Sequence, residues 1–154
     1  MIRVAALLVL ACSVACSRDE RHRAVKLDPT APVAVVIGDA RVTVELADTP
    51  STVSLGLMHR TQLAPDTGML FFMGYERDHV FWMKNTLIPL DMIFIAHDLT
   101  VAGIVHRAQP RSERLRRAGA PSLYVLEVNG GWAEAHQVTP GTAVRFENLR
   151  LAPH

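Results

Sequence analysis

Residues 81–95 read FWMKNTLIPLDMIFI, and the rest of the chain can be laid out around them. Alternation puts Phe81 and Met83 on one face and Trp82 and Lys84 on the other, the pattern of a strand. Asn85 and Thr86 interrupt the apolar run with hydrogen-bonding side chains. Pro89 has no amide to donate, so it marks a strand edge, a bulge or the first position of the next strand. Residues 90–95 resume a strand, with Asp91 in phase with Ile93 and Ile95. A carboxylate on an apolar face is costly unless it is paired or hydrogen-bonded. Lys84, Asn85, Thr86 and Asp91 therefore form a polar knot inside core sequence. The expectation is that Asp91 is buried and held by Lys84 or Arg60, or by Asn85 and Thr86 as donors.

On either side the pattern is of short strands. Residues 33–37 are β-branched, Gly38-Asp39 is a turn signal, and Val42, Val44 and Leu46 alternate along a second strand. Asp48 or Thr49 can cap a helix with Pro50 near its first position. Val53, Leu57 and Met58, with Leu55 nearby, predict a buried stripe on that helix, with Gly56 inside it. Pro65-Asp66-Thr67-Gly68 is a turn, residues 69–73 a short central strand and residues 74–79 a loop. His97-Asp98 joins two β-rich runs as a hairpin. Residues 107–121 carry five arginines against Glu113 and read as an exposed loop, with contact to phosphates the functional alternative. Residues 123–128 are a strand, residues 132–136 a helical turn after Gly130-Gly131, and residues 143–149 a last strand. The total is seven or eight short strands with one main helix and a short second helical turn. That predicts a mainly β domain, sandwich or barrel-like, over residues 33–151.

The start of the chain reads as a targeting segment, residues 1–15. Arg3 supplies the positive region, residues 4–11 an apolar run, and Ser13-Val14-Ala15 a small-residue cleavage site. The run is far short of the ~20 residues of a membrane span. Cys16 follows at once, as in bacterial lipoprotein signals, although Ser13 stands where those usually carry Leu. Residues 16–32 then form a lipidated cysteine and a flexible tether. The expected location is the outer membrane, facing the periplasm, with a soluble periplasmic or secreted protein as the alternative. Both cysteines, Cys12 and Cys16, lie at or before this junction, so the domain has no thiol chemistry and no cysteine-based metal site.

The net charge is +1 over 154 residues, which gives no case for nucleic-acid binding. No Gly-rich phosphate loop, nucleophile elbow or zinc motif is present, and no cofactor is implied. His59, His79, His97, His106 and His136 show no metal-ligand spacing and read as turn or surface residues. The candidate binding residues are Arg60, Trp82, Lys84, Asn85, Thr86, Asp91, Glu127 and Trp132. Among them Asp91, Lys84 and Glu127 could supply an acid and a base. Two carboxylates across a cleft could cut a glycan, and Trp132 could stack on a sugar or simply close one end of the domain. Against these stands a structural reading, in which Lys84 and Asp91 are a buried pair.

The strings GLMHR (56–60), GMLFFM (68–73), FWMKNTLIPLDMIFI (81–95) and YVLEVNGGWAEAH (124–136), in this order, resemble the domain of unknown function 192 family. The resemblance spans residues 42–149. It implies a β-rich, sandwich-like domain of the kind often secreted or lipid-anchored in bacteria, and it implies no reaction. The chain departs from the family in its Arg-rich loop and at Asn129, where many members carry Pro. The functional expectation is a cell-envelope lipoprotein that binds a small ligand or glycan without catalysis. An envelope glycan hydrolase using Asp91 and Glu127 and a purely structural or protein-interaction domain are the alternatives.

Overall fold

A computed structural model of the protein describes residues 31–149. The targeting segment, Cys16 and all but two residues of the expected tether lie outside this range. β1 (Ala34–Ile37) and β2 (Ala40–Ala47) make a hairpin over Gly38 and Asp39. β2 and β3 (Thr67–Arg77) are parallel, which requires a long crossover. The crossover carries α1 (Pro50–Leu55), started by Thr49 and Thr52 in a reciprocal capping box. β4 (Leu90–Ile95) and β5 (Val101–Ala108) form the second hairpin, and β6 (Ser122–Asn129), α2 (Trp132–Ala135) and β7 (Val144–Glu147) complete the chain.

The strands form one seven-stranded sheet in the order β5-β4-β6-β3-β2-β1-β7. It curls until its two ends meet. Val101 N–H donates to Thr142 O at 2.9 Å, Val144 N–H to Leu99 O at 2.7 Å, and Thr100 bridges to Ala143. The architecture is thus the barrel-like form of the expectation, a half-closed sheet with two short helices. One apolar cluster fills the curl and joins both end strands, from Val101 to Val144, with Trp132 and Ala133 of α2 added to it. A second lies on the outer face of β3, β4 and β6, under the turn after α1 and the segment that precedes β4. The central strands are therefore covered on both sides, which is why every residue of β4 is buried.

Gly68, in the middle of this sheet, is fixed by closeness: a Cβ there would stand 2.4 Å from the carbonyl oxygen of Glu127 on β6. Any side chain would push the two central strands apart.

Four local expectations are corrected. Residues 81–84 keep their alternation of burial but are not a ladder strand. Phe81 only bridges to Arg116, and Met83 N–H donates to Ser112 O, so the partner is the Arg-rich loop rather than the sheet. Asn85, at φ 57°, then turns the chain toward Pro89. α1 stops earlier than its apolar spacing suggests, because Gly56 caps it at φ 50° instead of lying inside it. Leu57 is buried from the following turn, Leu55 is exposed, and α1 itself buries no residue fully. β3 continues through residues 74–77, which had read as loop. His79 is buried, not superficial: Arg77 Nε donates to its Nδ1 at 3.3 Å, leaving Nε2 to donate to Tyr75 O at 2.9 Å.

Candidate functional site

Strand alternation splits the two candidate carboxylates. In the ladder Asp91 stands beside Val128 and points into the curl, whereas Glu127 stands between Met92 of β4 and Met69 of β3 on the outer face. They lie on opposite faces of one sheet and cannot flank a single bond. The glycan-hydrolase arrangement is corrected on this ground.

Asp91 is fully buried and is held by backbone, not by Lys84, Arg60, Asn85 or Thr86. Its Oδ1 accepts from Arg107 N–H at 2.7 Å and from Gly131 N–H at 2.9 Å, and its Oδ2 from Ala133 N–H at 2.8 Å. The register slips opposite Asp91, where β5 carries one extra residue, and Arg107 takes φ 44°. Such bulges leave an amide without a ladder partner. The first amides of a helix lack partners as well. One carboxylate serves the bulge and the start of α2, so the knot is a structural clasp between β4, β5 and α2. Trp132 belongs to the same region. It is buried, with its indole N–H on Asp66 at 2.9 Å and its ring against His136, and it presents no face to a sugar.

Glu127 is different. The residue is 5% exposed, its carboxylate accepts no hydrogen bond from any described residue, and burial pushes its carboxyl up to about 8. It faces a cavity of about 220 Å³, walled by Leu57, Met58, Phe71, Phe81, Trp82 and Thr86. Each wall has a local cause. Gly56 carries no Cβ and so lets the α1 turn pack on Phe71; a Cβ there would stand 3.2 Å from the Phe71 ring. Phe81 meets Phe71 edge to face at 5.3 Å between centroids, which fixes the segment before β4 over the sheet. Trp82 is 43% exposed and forms the rim, with Leu55 and Val80 beside it. Contiguous apolar surface around a concave site marks an interaction surface more often than scattered exposed residues do.

The neighbouring cations are engaged elsewhere. Arg60 forms a bidentate pair with Glu45, raising the guanidinium and lowering the carboxyl. Glu45 lies in the same row of the sheet as Met69 and Glu127, two strands away from the latter. Lys84 lies over the Trp82 ring at 5.1 Å and 3.9 Å from Glu113. Asn85 contributes its carbonyl to His59 N–H at 2.9 Å, tying the α1 turn to the rim. Of the eight candidates, the cavity thus unites Trp82, Thr86 and Glu127. Arg60, Lys84 and Asn85 lie outside its walls, and Asp91 and Trp132 are structural. Met58, Phe71 and Phe81 had not been singled out, although all three fall in the strings GLMHR, GMLFFM and FWMKNTLIPLDMIFI. Among the described residues no cluster of His, Cys, Asp or Glu could hold a metal ion, and no helix is long and apolar enough to cross a membrane.

The model of the family DUF192, described as "Uncharacterized ACR", matches residues 33–146. A solved structure of a candidate transcription regulator from Sinorhizobium meliloti 1021 is 43% identical, with a TM-score of 0.70 over 76% of this chain and 93% of that one. A protein of unknown function from Novosphingobium aromaticivorans is 38% identical, with a TM-score of 0.69 over 77% of this chain and 90% of that one. No curated protein matches the chain.

Proposed function

The chain belongs to the DUF192 family, and from that premise we propose that it is a non-catalytic binding module whose small ligand enters the Glu127 cavity. The observation that carries this reading is Glu127 itself. A largely buried carboxyl, without a donor among the described residues, that opens into a pocket walled mostly by apolar side chains is a cost to the fold that a ligand would offset. The size of the cavity argues for a single ring or a short chain, since apolar cavities of about 150 Å³ already hold benzene. A long glycan would reach it only with one end. A nucleic-acid role, which the description of the Sinorhizobium relative suggests, has no support in a net charge of +1.

A thermal-shift screen of small amines, alcohols, acids and sugars tests the reading. Ligand at about a hundredfold over Kd adds about 2.7 kcal/mol, several degrees of Tm in a domain of this size. The shift should vanish in Met58→Trp, which fills the cavity. A shift that survives this substitution, or none from any compound, overturns the assignment.

The proposed setting is the cell envelope, with Cys16 as the lipid anchor. The support is the order of charged start, apolar run, small residues and cysteine. Anchored protein should partition with membranes and detergent, and Cys16→Ser should release it. Stable anchoring takes more than one acyl chain, so wild-type protein recovered unmodified from the soluble fraction would rule the anchor out.

A further inference from the structure

We infer that the Glu127 cavity is selective for a cationic nitrogen carried on a short apolar chain or ring, with Glu127 as its counter-ion. This deepens the binding reading above and rests on it. The walls offer what such a ligand needs and little that a neutral or anionic one would prefer. Phe71, Phe81 and Trp82 present aromatic surface, which attracts an ammonium through the ring quadrupole. Thr86 is in the same lining; its hydroxyl donates to Lys84 O at 3.5 Å and keeps lone pairs that could accept from an ammonium carrying more than one proton.

The charge balance is one-sided. Glu127 is faced from β3 by Met69 and Phe71 and from β4 by Met92. The turn after α1 brings Gly56, Leu57 and Met58, and the segment before β4 brings Phe81, Trp82 and Thr86. None of these residues titrates, and no Lys, Arg or His lines the cavity. Arg60 and Lys84 lie outside the lining and have partners of their own, Glu45 for Arg60 and the Trp82 ring and Glu113 for Lys84. An anionic ligand would find no cationic group in the lining and would hold the Glu127 carboxyl in its protonated form. An ammonium would supply the partner that the fold withholds.

A pH signature follows. Because burial holds the empty carboxyl up to about 8, it must give up a proton when the cation enters at neutral pH. Affinity should therefore rise about tenfold from about pH 6 to 7 and level off above about pH 8. An alkylammonium titrates near the lysine value of about 10.4 and stays charged throughout this window.

The test uses purified protein with hexylamine, hexanol and hexanoate as probes, followed by calorimetry and Trp fluorescence across that pH range. Hexylammonium should bind at least tenfold more tightly than hexanol at about pH 8, with hexanoate weakest. Glu127→Gln should abolish the preference and the pH slope while retaining hexanol binding. Equal affinity for hexanol and hexylammonium, both lost in Met58→Trp, would overturn the cation preference and leave the cavity as a neutral site. Binding of none of the three, or binding untouched by Met58→Trp, would overturn the preference together with the pocket assignment.

Discussion

Asp91→Ala should lower stability by about 3–5 kcal/mol, read as a shift in the urea midpoint at constant m. The estimate starts from the three amides that the carboxylate satisfies, on Arg107, Gly131 and Ala133. A buried donor that loses its acceptor costs about 1–3 kcal/mol. Ala133 N–H lies deepest, while the other two are part-buried and can recover some hydration. Against a typical whole-domain stability of about 5–15 kcal/mol, the loss approaches the margin for folding. Asp91→Asn is the sharper comparison. Its one carbonyl oxygen can keep the two donors now on Oδ1, but its amide would face Ala133 N–H with a second donor. It should cost about 2 kcal/mol, between wild type and Ala. If both variants fall within about 0.5 kcal/mol of wild type, as substitutions on open surface do, the clasp is wrong and water reaches these amides.

The burial of Asp91 could be read from its phase with Ile93 and Ile95, because a strand's period of two is local. Its partners could not, since they lie 16, 40 and 42 residues away and exist only once β5 bulges and α2 docks. The sequence offered Lys84 and Arg60 as nearby opposite charges, and each found another anion. Residues 81–84 show the converse. Their alternation reports which side faces the core, and it does so in any extended backbone, whether or not a sheet neighbour is present. The α1 stripe failed at Gly56, whose positive φ ends a helix that apolar spacing alone would extend. Glu127 was marked by its place between Leu126 and Val128, but its surroundings come from four separate segments. A cavity of that kind is a property of packing, with no period along the chain. The repeated short strands and the turn signals at Gly38 and His97 are local by contrast, and they were enough for the half-closed β architecture.

Stability should fall as pH rises from about 5 to about 8, and Glu127 should be the main cause. In the unfolded chain its carboxyl titrates near its ordinary 4.5, and in the fold near 8. Between these values the folded protein keeps a proton that the unfolded chain has lost, so each unit of pH favours unfolding by about 1.4 kcal/mol. The cumulative loss is roughly 3 kcal/mol by pH 7 and roughly 4 kcal/mol by pH 8, and it levels off at roughly 5 kcal/mol above about pH 9. His97 slopes the same way, because the Glu76 contact raises it and its contribution fades at higher pH. That pair is open to solvent, so its share is small. The carboxyls of Glu45 and Glu147, lowered by arginines, act at the other end, with stability lost only as pH falls below about 4 to 5. Glu127→Gln isolates the term. It should match wild type within about 1 kcal/mol at pH 5, exceed it by about 3–5 kcal/mol at pH 8, and keep only the shallow His97 slope. A wild-type profile that is flat across this range would mean the carboxyl is hydrated, and the cavity would then be an open wet groove with no unmet charge for a ligand to answer. On the proposed binding reading, a residue that weakens its own fold at neutral pH, when Gln would fit the same space, is kept for its ligand.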